Sequence, residues 1–525
     1  MPIILRNLKT PITASKDDVV KSAIKKLRIS ESEVISAGIY KSSLDARKRE
    51  DIHFVSSVTL SLKSSELEQR LSKLENVSYF EETELNPEIS TQKRDGRVVI
   101  AGFGPAGMFC GLLLAEMGYK PIILERGADV DNRVKAVEGF WSGAELDEET
   151  NVQFGEGGAG TFSDGKLTTR INDPLCRYVL KRLVDMGAPE EILINAKPHI
   201  GTDKLRYVVK AIRERIISLG GEVRFLSRLD DIKLEQGTVR SCITPQGDIE
   251  TAALVLAIGH SARDTFQMLL NKGVYMEPKA FSVGARIEHT QQQVDESLYG
   301  KYAGNPLLPK GEYQLSHRRG DRGVYTFCMC PGGSVVAAAS EKNTVVTNGM
   351  SEFARDGKNA NSALVVSVSK DDFGSGVLCG VDFARSLERR AYEISGSYRA
   401  PSQTVGAFLD STQTASTTVP SYRPGVVSAE LDRIFPSFVS DMMREGLRKF
   451  SHQMACFGDP TAILTAPETR TSAPIRITRN DERLSLSLSN LYPCGEGAGY
   501  AGGIVSAAVD GVKTALAIMK AFSPN

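Results

Sequence analysis

The sequence predicts an α/β protein in which a parallel-sheet domain carries an inserted α+β domain and follows a small N-terminal α+β domain. From residue 95 the chain shows the order strand, glycine-rich turn, helix, strand, which builds a parallel sheet. The continuous apolar run from Ala253 to Gly259 is typical of a buried parallel strand. Residues 491–525 return to a strand, a glycine-rich turn and a helix, so we expect them to rejoin the same domain.

Domain borders follow from changes in composition along the chain. Residues 1–90 have the order βαββαβ, which predicts a ferredoxin-like domain. The polar stretch from Asn86 to Arg94 contains Pro87 and marks a linker. Residues 95–278 and 461–525 are expected to form the two parts of the parallel-sheet domain. Residues 279–460 have irregular strand-like segments with many Ser, Thr, Asn and Gly residues, which predicts an inserted cap domain.

The composition excludes several classes of protein. A chain of 525 residues exceeds the roughly 250 to 300 at which one core usually splits into domains. Lys plus Arg equals Asp plus Glu at 64 each, so no overall field attracts nucleic acid or a membrane. The cysteines are scattered without metal-ligand spacing, and no apolar window suits a signal peptide or a membrane span. These features predict a cytoplasmic protein without a metal site, and they leave its oligomeric state open.

The most informative motif is a glycine-rich turn, Gly102-Phe103-Gly104-Pro105-Ala106-Gly107, between an apolar strand and a helix. Gly102 permits a tight turn, Gly104 lets the backbone approach a pyrophosphate, and Gly107 lets the helix pack closely on the strand. The helix N-terminus favours an anion. Acidic Glu125 ends the next strand, where it would accept hydrogen bonds from ribose hydroxyls. This order predicts a Rossmann-type dinucleotide site without deciding which dinucleotide it holds.

Three further segments resemble the glutathione reductase and hydroxylase superfamily of FAD enzymes. They are Glu125-Arg126-Gly127 with Arg133, the strand end Ala257-Ile258-Gly259, and Pro493-Cys494-Gly495-Glu496 followed by Gly502-Gly503-Ile504. The chain departs from the superfamily pattern at Ile258, which replaces Thr, and at Glu496, which replaces Asp. The resemblance implies that Glu496 holds the ribityl chain of FAD and that the helix N-terminus near Ile504 faces the flavin.

A finer resemblance covers nearly the whole chain. Residues 151–167, 281–289 and 326–333 are similar to a bacterial family of FAD-dependent dehydrogenases, also described as NAD(P)/FAD-dependent oxidoreductases. This resemblance implies a Rossmann-type FAD-binding domain with an inserted cap domain, and FAD as the cofactor. It implies no particular reaction.

Residues 155–160 are too rich in glycine for a stable strand or helix, because each glycine costs extra backbone entropy. Close approach of the backbone to a ligand explains such a segment, and a flexible surface loop is the alternative. In related flavoproteins the corresponding segment runs beside the ribityl chain and the isoalloxazine. The resemblance therefore implies FAD contacts from Gly157, Gly158, Ala159, Gly160, Thr161, Asp164, Gly165 and Lys166.

Four side chains are candidates for chemistry beside the flavin. Lys166 would place positive charge near the reduced flavin. His260 follows the Ala257-Ile258-Gly259 strand end and His289 lies at the edge of the cap, and either would exchange protons near neutral pH. Arg470 would bind an anionic substrate as a fork. A purely structural role is the alternative for each, and the spacing of Cys328 and Cys330 disfavours dithiol catalysis.

These observations favour an FAD-dependent oxidoreductase that transfers a hydride to or from flavin N5, with a small-molecule substrate between the flavin domain and residues 279–460. No second Gly-x-Gly-x-x-Gly lies between a strand and a helix, so NAD(P)H would dock transiently as an electron donor, without a binding domain of its own. One alternative is a flavin-dependent RNA-modifying enzyme that grips RNA through Arg47-Lys48-Arg49. Another is a flavin-binding sensor without catalysis, whose N-terminal domain docks partners.

Overall fold

The fold is taken from a computed structural model, which describes residues 1–82, 85–410, 416 and 418–524. The N-terminal elements occur in the predicted order, and their strands form an antiparallel sheet in the order β2-β3-β1-β4. Both helices pack apolar side chains, among them Ala23 and Leu67, against residues such as Leu5 and Val58 of the sheet. The elements are β1 (Ile3–Pro11), α1 (Lys16–Leu27), β2 (Val34–Asp45), β3 (His53–Leu62), α2 (Ser65–Leu71) and β4 (Val77–Tyr79).

The central domain begins with the strand, turn and helix that the sequence predicts. Its helix α3 is buried over almost its whole length, which explains why its sequence is apolar on every side. The elements are β5 (Arg97–Ala101), α3 (Pro105–Glu116), β6 (Ile122–Leu124), α4 (Val130–Trp141), α5 (Leu175–Asp185), α6 (Thr202–Ser218), β7 (Glu222–Arg224), β8 (Asp231–Glu235), β9 (Thr238–Thr244), β10 (Gly247–Leu256), α7 (Arg263–Asn271) and β11 (Met276–Pro278).

The inserted domain is built on a seven-stranded sheet covered by helices. Two long helices, α10 and α12, occur where the sequence predicts only irregular strand-like segments. The elements are β12 (Phe281–Thr290), α8 (Gln291–Tyr299), β13 (Ser316–Arg319), β14 (Arg322–Cys330), β15 (Ser334–Ala337), β16 (Thr347–Met350), β17 (Asn359–Val368), α9 (Lys370–Phe373), α10 (Cys379–Ser395), β18 (Ala400–Thr404), α11 (Val405–Asp410), β19 (Val426–Ser428), α12 (Ser437–Ser451) and β20 (Ile463–Glu468). The sheet order is β13-β14-β17-β12-β20-β18-β19.

The chain leaves the inserted domain later than residue 460, where the sequence analysis places the border. Strand β20 pairs with β12 and β18 and therefore belongs to the inserted sheet. After it come β21 (Ile475–Ile477), β22 (Leu491–Pro493) and α13 (Ile504–Ala521). The border lies beyond Glu468 because the apolar and polar residues of β20 complete a sheet rather than begin the next domain.

The central sheet is completed by the last part of the chain. Strand β10 is parallel to β5 on one side and to β22 on the other, where Leu254 pairs with Leu491. The apolar run that begins at Ala253 is the second half of a longer strand, Gly247–Leu256, whose first half pairs with β9. Helix α13 packs so closely on α3 that a Cβ at Gly511 would lie 2.1 Å from the carbonyl oxygen of Ala106. Among the described residues, no helix has the length and apolarity to cross a membrane.

A buried ion-pair cluster fastens the inserted domain to the central domain. Glu388 of α10 is fully buried and accepts hydrogen bonds from Arg263 of α7 at 2.8 Å and from Arg470 Nε at 2.9 Å. The Thr469 hydroxyl donates a further bond to it at 2.6 Å. Burial alone would raise the pKa of Glu388, but Arg263 and Arg470 hold it well below its usual range. The carboxylate therefore stays charged wherever the protein is folded at neutral pH.

Glu388→Gln is expected to destabilise the protein by about 3–5 kcal/mol, because it removes the buried carboxylate that Arg263 and Arg470 share and leaves Glu341 as the counter-charge of Arg263. Since the folded pKa of Glu388 is depressed, its contribution is present above the unfolded pKa and is lost as the pH falls. Urea unfolding at pH 7 and at pH 4 should show a smaller difference between variant and parent at pH 4. A difference that does not shrink with pH would contradict this assignment. Asp382→Asn, exposed on the same helix, is the control.

Candidate FAD site

The glycine-rich turn after β5 is shaped by contacts within the protein. Gly102 has a φ of 102°, and a Cβ there would lie 2.3 Å from the carbonyl oxygen of Ala257. A Cβ at Gly107 would lie 2.0 Å from the carbonyl oxygen of Gly102. Gly104 caps α3, and a Cβ there would meet nothing closer than Gly158 Cα at 3.7 Å. The first and third glycines are thus required by packing, whereas the second leaves the helix N-terminus open to a ligand.

Glu125 fastens three pieces of backbone at the end of β6. Its carboxylate accepts hydrogen bonds from the amides of Phe103 at 2.9 Å, Gly127 at 3.0 Å and Gly155 at 2.9 Å. An ionised carboxylate has about four acceptor positions, so a ribose hydroxyl can still bind beside these three amides. The residue stands where the sequence predicts a ribose acceptor, and it also holds the turn and the following loop together.

The resemblance implied that Arg133 contacts the cofactor. Its side chain instead holds the loop 151–158 in place. Its side chain is fully buried, and burial lowers its pKa to about 10. Each nitrogen of the guanidinium donates to carbonyl oxygens of the loop, namely those of Asn151, Val152, Gly155, Glu156 and Gly158. A Cβ at Gly155 would lie 2.4 Å from Arg133 Cδ, so this glycine is needed to admit the arginine.

Arg126 is likewise engaged with protein groups. Its guanidinium forms ion pairs with Glu149 at 2.8 Å and Asp264 at 2.6 Å and lies over the Phe154 ring, 4.2 Å from its centroid. The expected cofactor contact through this side chain is therefore replaced by a link between the loop and α7.

The segments flanking the turn converge on the N-terminus of α3. The amide of Gly157 donates to the carbonyl of Phe103 at 2.9 Å, and Gly158 and Gly160 approach Gly104 and Pro105 so closely that a Cβ at Gly158 would lie 3.0 Å from Gly104 Cα. Residues Gly158–Phe162 form a short 3₁₀ helix, which the sequence does not predict, and Ala159 is half-buried within it. The Thr161 hydroxyl donates to the carbonyl of Glu156, so it fixes this turn.

The late glycine-rich segment meets the end of β10. A Cβ at Gly497 would lie 2.4 Å from the carbonyl oxygen of Gly259, which follows Ile258. The amide of Gly495 donates to Asp510 of α13 at 2.8 Å. Asp510, which also binds Arg479 at 2.7 Å, is absent from the predicted site residues. An acidic residue within an apolar helix was the signal in the sequence.

The N-terminus of α13 completes the site. Gly502 and Gly503 are exposed, Gly503 caps the helix, and a Cβ at Gly502 would meet no atom within 4 Å. Ile504 lies beside Gly160, where a Cβ would be 3.3 Å from its Cγ1. Two helix N-termini, those of α3 and α13, thus border the same glycine-rich loop.

Glu496 carries a carboxylate that makes no hydrogen bond to any residue in the described part of the chain. Burial raises its pKa to about 7, although the charge of Lys279 opposes this rise. Burial in turn lowers the pKa of Lys279. A partly buried acceptor without a protein donor fits the role that the resemblance implies, which is to bind the hydroxyls of a ribityl chain.

The loop after the 3₁₀ helix is tied to the inserted domain. Asp164 forms an ion pair with Arg355, so its carboxylate is already engaged by the protein. Lys166 Nζ lies 3.4 Å from Glu312 Oε2, and Lys197 Nζ lies 2.8 Å from Oε1. Burial alone would raise the pKa of Glu312, but these lysines and Arg355 lower it to about 2. Lys166 therefore lies beside a carboxylate that neutralises part of its charge.

His260 is poorly suited to proton exchange near neutral pH. Its Nδ1 lies 2.9 Å from the Ser261 hydroxyl, which donates to Gln153 at 3.1 Å. Burial and the charges of Arg470 and Arg263 lower the pKa of His260 to about 3. The imidazole is neutral at pH 7, contrary to the expected acid–base role.

His289 and Arg470 do not reach the glycine-rich loops. His289 is fully buried in the apolar core of the inserted domain, with its ring centroid 4.8 Å from that of Phe457, and burial lowers its pKa to about 4. The Arg470 guanidinium donates two hydrogen bonds to the Glu388 carboxylate, so it is not free to bind an anionic substrate. Neither side chain is placed for its expected role, because His289 packs against Phe457 and Arg470 is bonded to Glu388.

Comparison with known proteins supports the same cofactor. Residues 280–471 match the family described as FAD-dependent protein, C-terminal domain-like, and residues 2–61 match a domain of unknown function. The chain is 46% identical over 531 residues to an "Uncharacterized protein" of Clostridium beijerinckii, covering 99% of each. Structural likenesses are weaker. Glycine oxidase from Bacillus cereus is 12% identical over 81% of this chain and 98% of the oxidase, with a TM-score of 0.35. The flavin-dependent brominase Bmp2 is 13% identical over 81% of this chain and 79% of the brominase, with a TM-score of 0.36. TM-scores this low carry no information on the reaction.

The fold, the converging glycine-rich segments and the family match define a flavoprotein whose cofactor is FAD. Within this class, the chain belongs to the family of the Clostridium beijerinckii protein.

Gly104→Val is expected to yield a folded protein without FAD. The space beyond a Cβ at this position is free of protein atoms to 3.7 Å, so the chain tolerates the side chain, but the side chain excludes the pyrophosphate. The ratio of FAD to protein follows from the visible absorbance, and folding follows from circular dichroism. Gly38→Val in β2, where a Cβ meets nothing within 4 Å, is the matched control. Retention of one FAD per chain by Gly104→Val would place the pyrophosphate elsewhere.

The affinity for FAD is expected to rise as the pH increases through about 7, because the ionised Glu496 is the stronger acceptor for ribityl hydroxyls. Glu496→Gln should bind FAD more weakly at high pH and lose this pH dependence. Quenching of FAD fluorescence during titration of the apoprotein measures both effects. Glu482→Gln, an exposed residue, is the control, and an unchanged pH dependence in Glu496→Gln would assign the titration to another group.

Proposed function

We propose that the protein is an FAD-dependent oxidoreductase that transfers a hydride between a small-molecule substrate and flavin N5. The observation that carries this proposal is the position of residues 163–167 between two domains. Asp164 and Lys166 are bound to Arg355 and Glu312, which both belong to the inserted domain. A substrate in this space contacts the inserted domain on one side and the flavin on the other. FAD supplies the redox chemistry, and the protein supplies binding and orientation.

We infer that hydroxyl groups on and beside the inserted sheet orient a substrate. The Tyr325 hydroxyl lies 2.7 Å from that of Ser282, and Thr471 bonds to the backbone of Ser282 at 2.8 Å. Arg170, three residues after Leu167, lies near enough to influence the pKa of Tyr325, which burial raises. Hydroxyl groups and one guanidinium favour a polar substrate that carries a carbonyl, hydroxyl or amino group at the carbon that is oxidised or reduced.

The RNA-modifying alternative is weaker, because the basic loop is engaged within the chain. Arg47 pairs with Asp45, and Arg49 donates to the carbonyl of Ser297 at 2.6 Å. The ring of Tyr40 lies against Phe80 and beneath Arg177, so part of the sheet face that such domains present to RNA is covered. A sensor without catalysis is distinguished from an enzyme only by whether a substrate reduces the flavin.

Anaerobic reduction of the bound flavin tests the proposal. The purified holoprotein is mixed with NADH, with NADPH, and with fractions of a bacterial metabolite extract, and loss of the flavin's visible absorbance is followed. We expect one class of polar metabolite to bleach the flavin within seconds, or a reduced nicotinamide to do so with a metabolite as oxidant. If neither nicotinamide nor any fraction reduces or reoxidises the flavin, the sensor alternative replaces the proposal. Free FAD under the same conditions is the control.

A further inference from the structure

We propose that the N-terminal domain, residues 1–79, holds the flavin-side loop 163–167 in place through a connecting segment, residues 193–201. The proposal rests on the proposed function only in assigning the loop to the flavin. It gives this domain a positioning role inside the protein, in contrast to the docking of an external partner.

The first end of the connecting segment is bound to the edge of the N-terminal sheet. Strand β2 is the outer strand of that sheet, and the Ser42 amide donates to the carbonyl of Ile194 at 2.7 Å. The amide of Ala196 donates back to the Ser42 carbonyl at 2.8 Å, so Ser42 and Asn195 form a parallel β-bridge. These bonds cover the exposed edge that an isolated sheet would present.

The second end of the segment is bound to the flavin-side loop. The amide of Leu167 donates to the Pro198 carbonyl at 2.9 Å, and the amide of Ile200 donates to the Gly165 carbonyl at 3.1 Å. Lys166 and His199 therefore form an antiparallel bridge. Gly165 has a φ of 65°, and a Cβ there would lie 2.9 Å from the Gly201 amide nitrogen. The loop and the segment are thus in direct backbone contact.

A side chain reinforces the same connection. Arg177 of α5 donates to the carbonyl of Leu193, at the start of the segment, and its guanidinium lies 4.8 Å from the centre of the Tyr40 ring in β2. At the other end, Lys197 and Lys166 share the carboxylate of Glu312. One continuous series of contacts therefore runs from β2 to the charge of Lys166. Displacement of the N-terminal domain would displace that charge relative to the flavin.

Two substitutions break the first end without touching the loop. Ser42→Pro removes the amide that donates to Ile194, at an edge strand where proline is tolerated. Arg177→Met removes the contacts to Leu193 and Tyr40 but keeps the apolar stem. The matched control is Arg182→Met on the same helix, since Arg182 has a similar exposed fraction, 21% against 26%, and pairs with Glu116 instead.

Hydrogen exchange of the full-length holoprotein provides the first readout. We expect the amides of residues 164–167 and 199–201 to exchange about fivefold faster in both test variants, as the loss of one hydrogen bond allows, and at the parent rate in Arg182→Met. Equal exchange in parent and test variants would overturn the proposal. An equal rise in the control would also overturn it, because the effect would then come from α5 and not from the N-terminal domain.

The flavin itself provides the second readout. The visible spectrum and the midpoint potential of bound FAD should shift in Ser42→Pro and Arg177→Met, because Lys166 moves relative to the isoalloxazine. Faster exchange with an unchanged spectrum and potential would overturn the positioning role at the flavin. Neither readout requires a substrate, so this result is separate from the metabolite screen that tests the proposed function.

Discussion

The shape of the candidate FAD site depends on one buried arginine. All three guanidinium nitrogens of Arg133 donate hydrogen bonds to backbone carbonyls of the loop 151–158. Residues 151–157 of this loop have no regular secondary structure. Without such a donor, these carbonyls would be buried and unsatisfied, and the loop would have no fixed shape. With Arg133 in place, the loop lies against Phe103 and Gly104, and the N-terminus of α3 forms one wall of the candidate FAD site. Glu125 performs the complementary task by accepting from backbone amides at the same corner.

Charge is handled differently at the site and away from it. Around Glu388 every charged group is paired, which makes a rigid joint between domains and leaves nothing for a ligand. At Glu496 the opposite holds, since a partly buried carboxylate accepts no hydrogen bond from the described residues. The charged groups around Glu388 have hydrogen-bond partners in the protein, whereas the Glu496 carboxylate does not. This difference distinguishes ionic residues with a structural role from those that face a ligand. It also explains why Arg470, which the sequence suggests as a binder of an anionic substrate, has a structural role.

The parts of this fold that the sequence predicts are those in which one short segment contains the whole signal. The turn from Gly102 to Gly107 carries its strand, its helix and its acidic partner within a short stretch, so its geometry follows from local rules. Long-range partners are different. Nothing near Arg133 in the sequence indicates that it faces residues 151–158, and nothing near Arg470 reveals Glu388. Helices α10 and α12 have apolar positions at helical spacing, such as Leu387 and Ala391, but the surrounding polar residues obscured that pattern.

The division of the central sheet affects the order in which the protein is made. Strand β10 is complete at Leu256, but its partner β22 begins at Leu491, so a ribosome working at roughly 5–20 residues per second takes on the order of ten to fifty seconds to supply it. During that interval one edge of β10 and one face of α3 lack their final neighbours, and an open strand edge attracts other chains. Because Glu496 and α13 follow β22 in the chain, the candidate FAD site is incomplete until they too have emerged. We therefore expect FAD to bind after the central sheet is complete and not before.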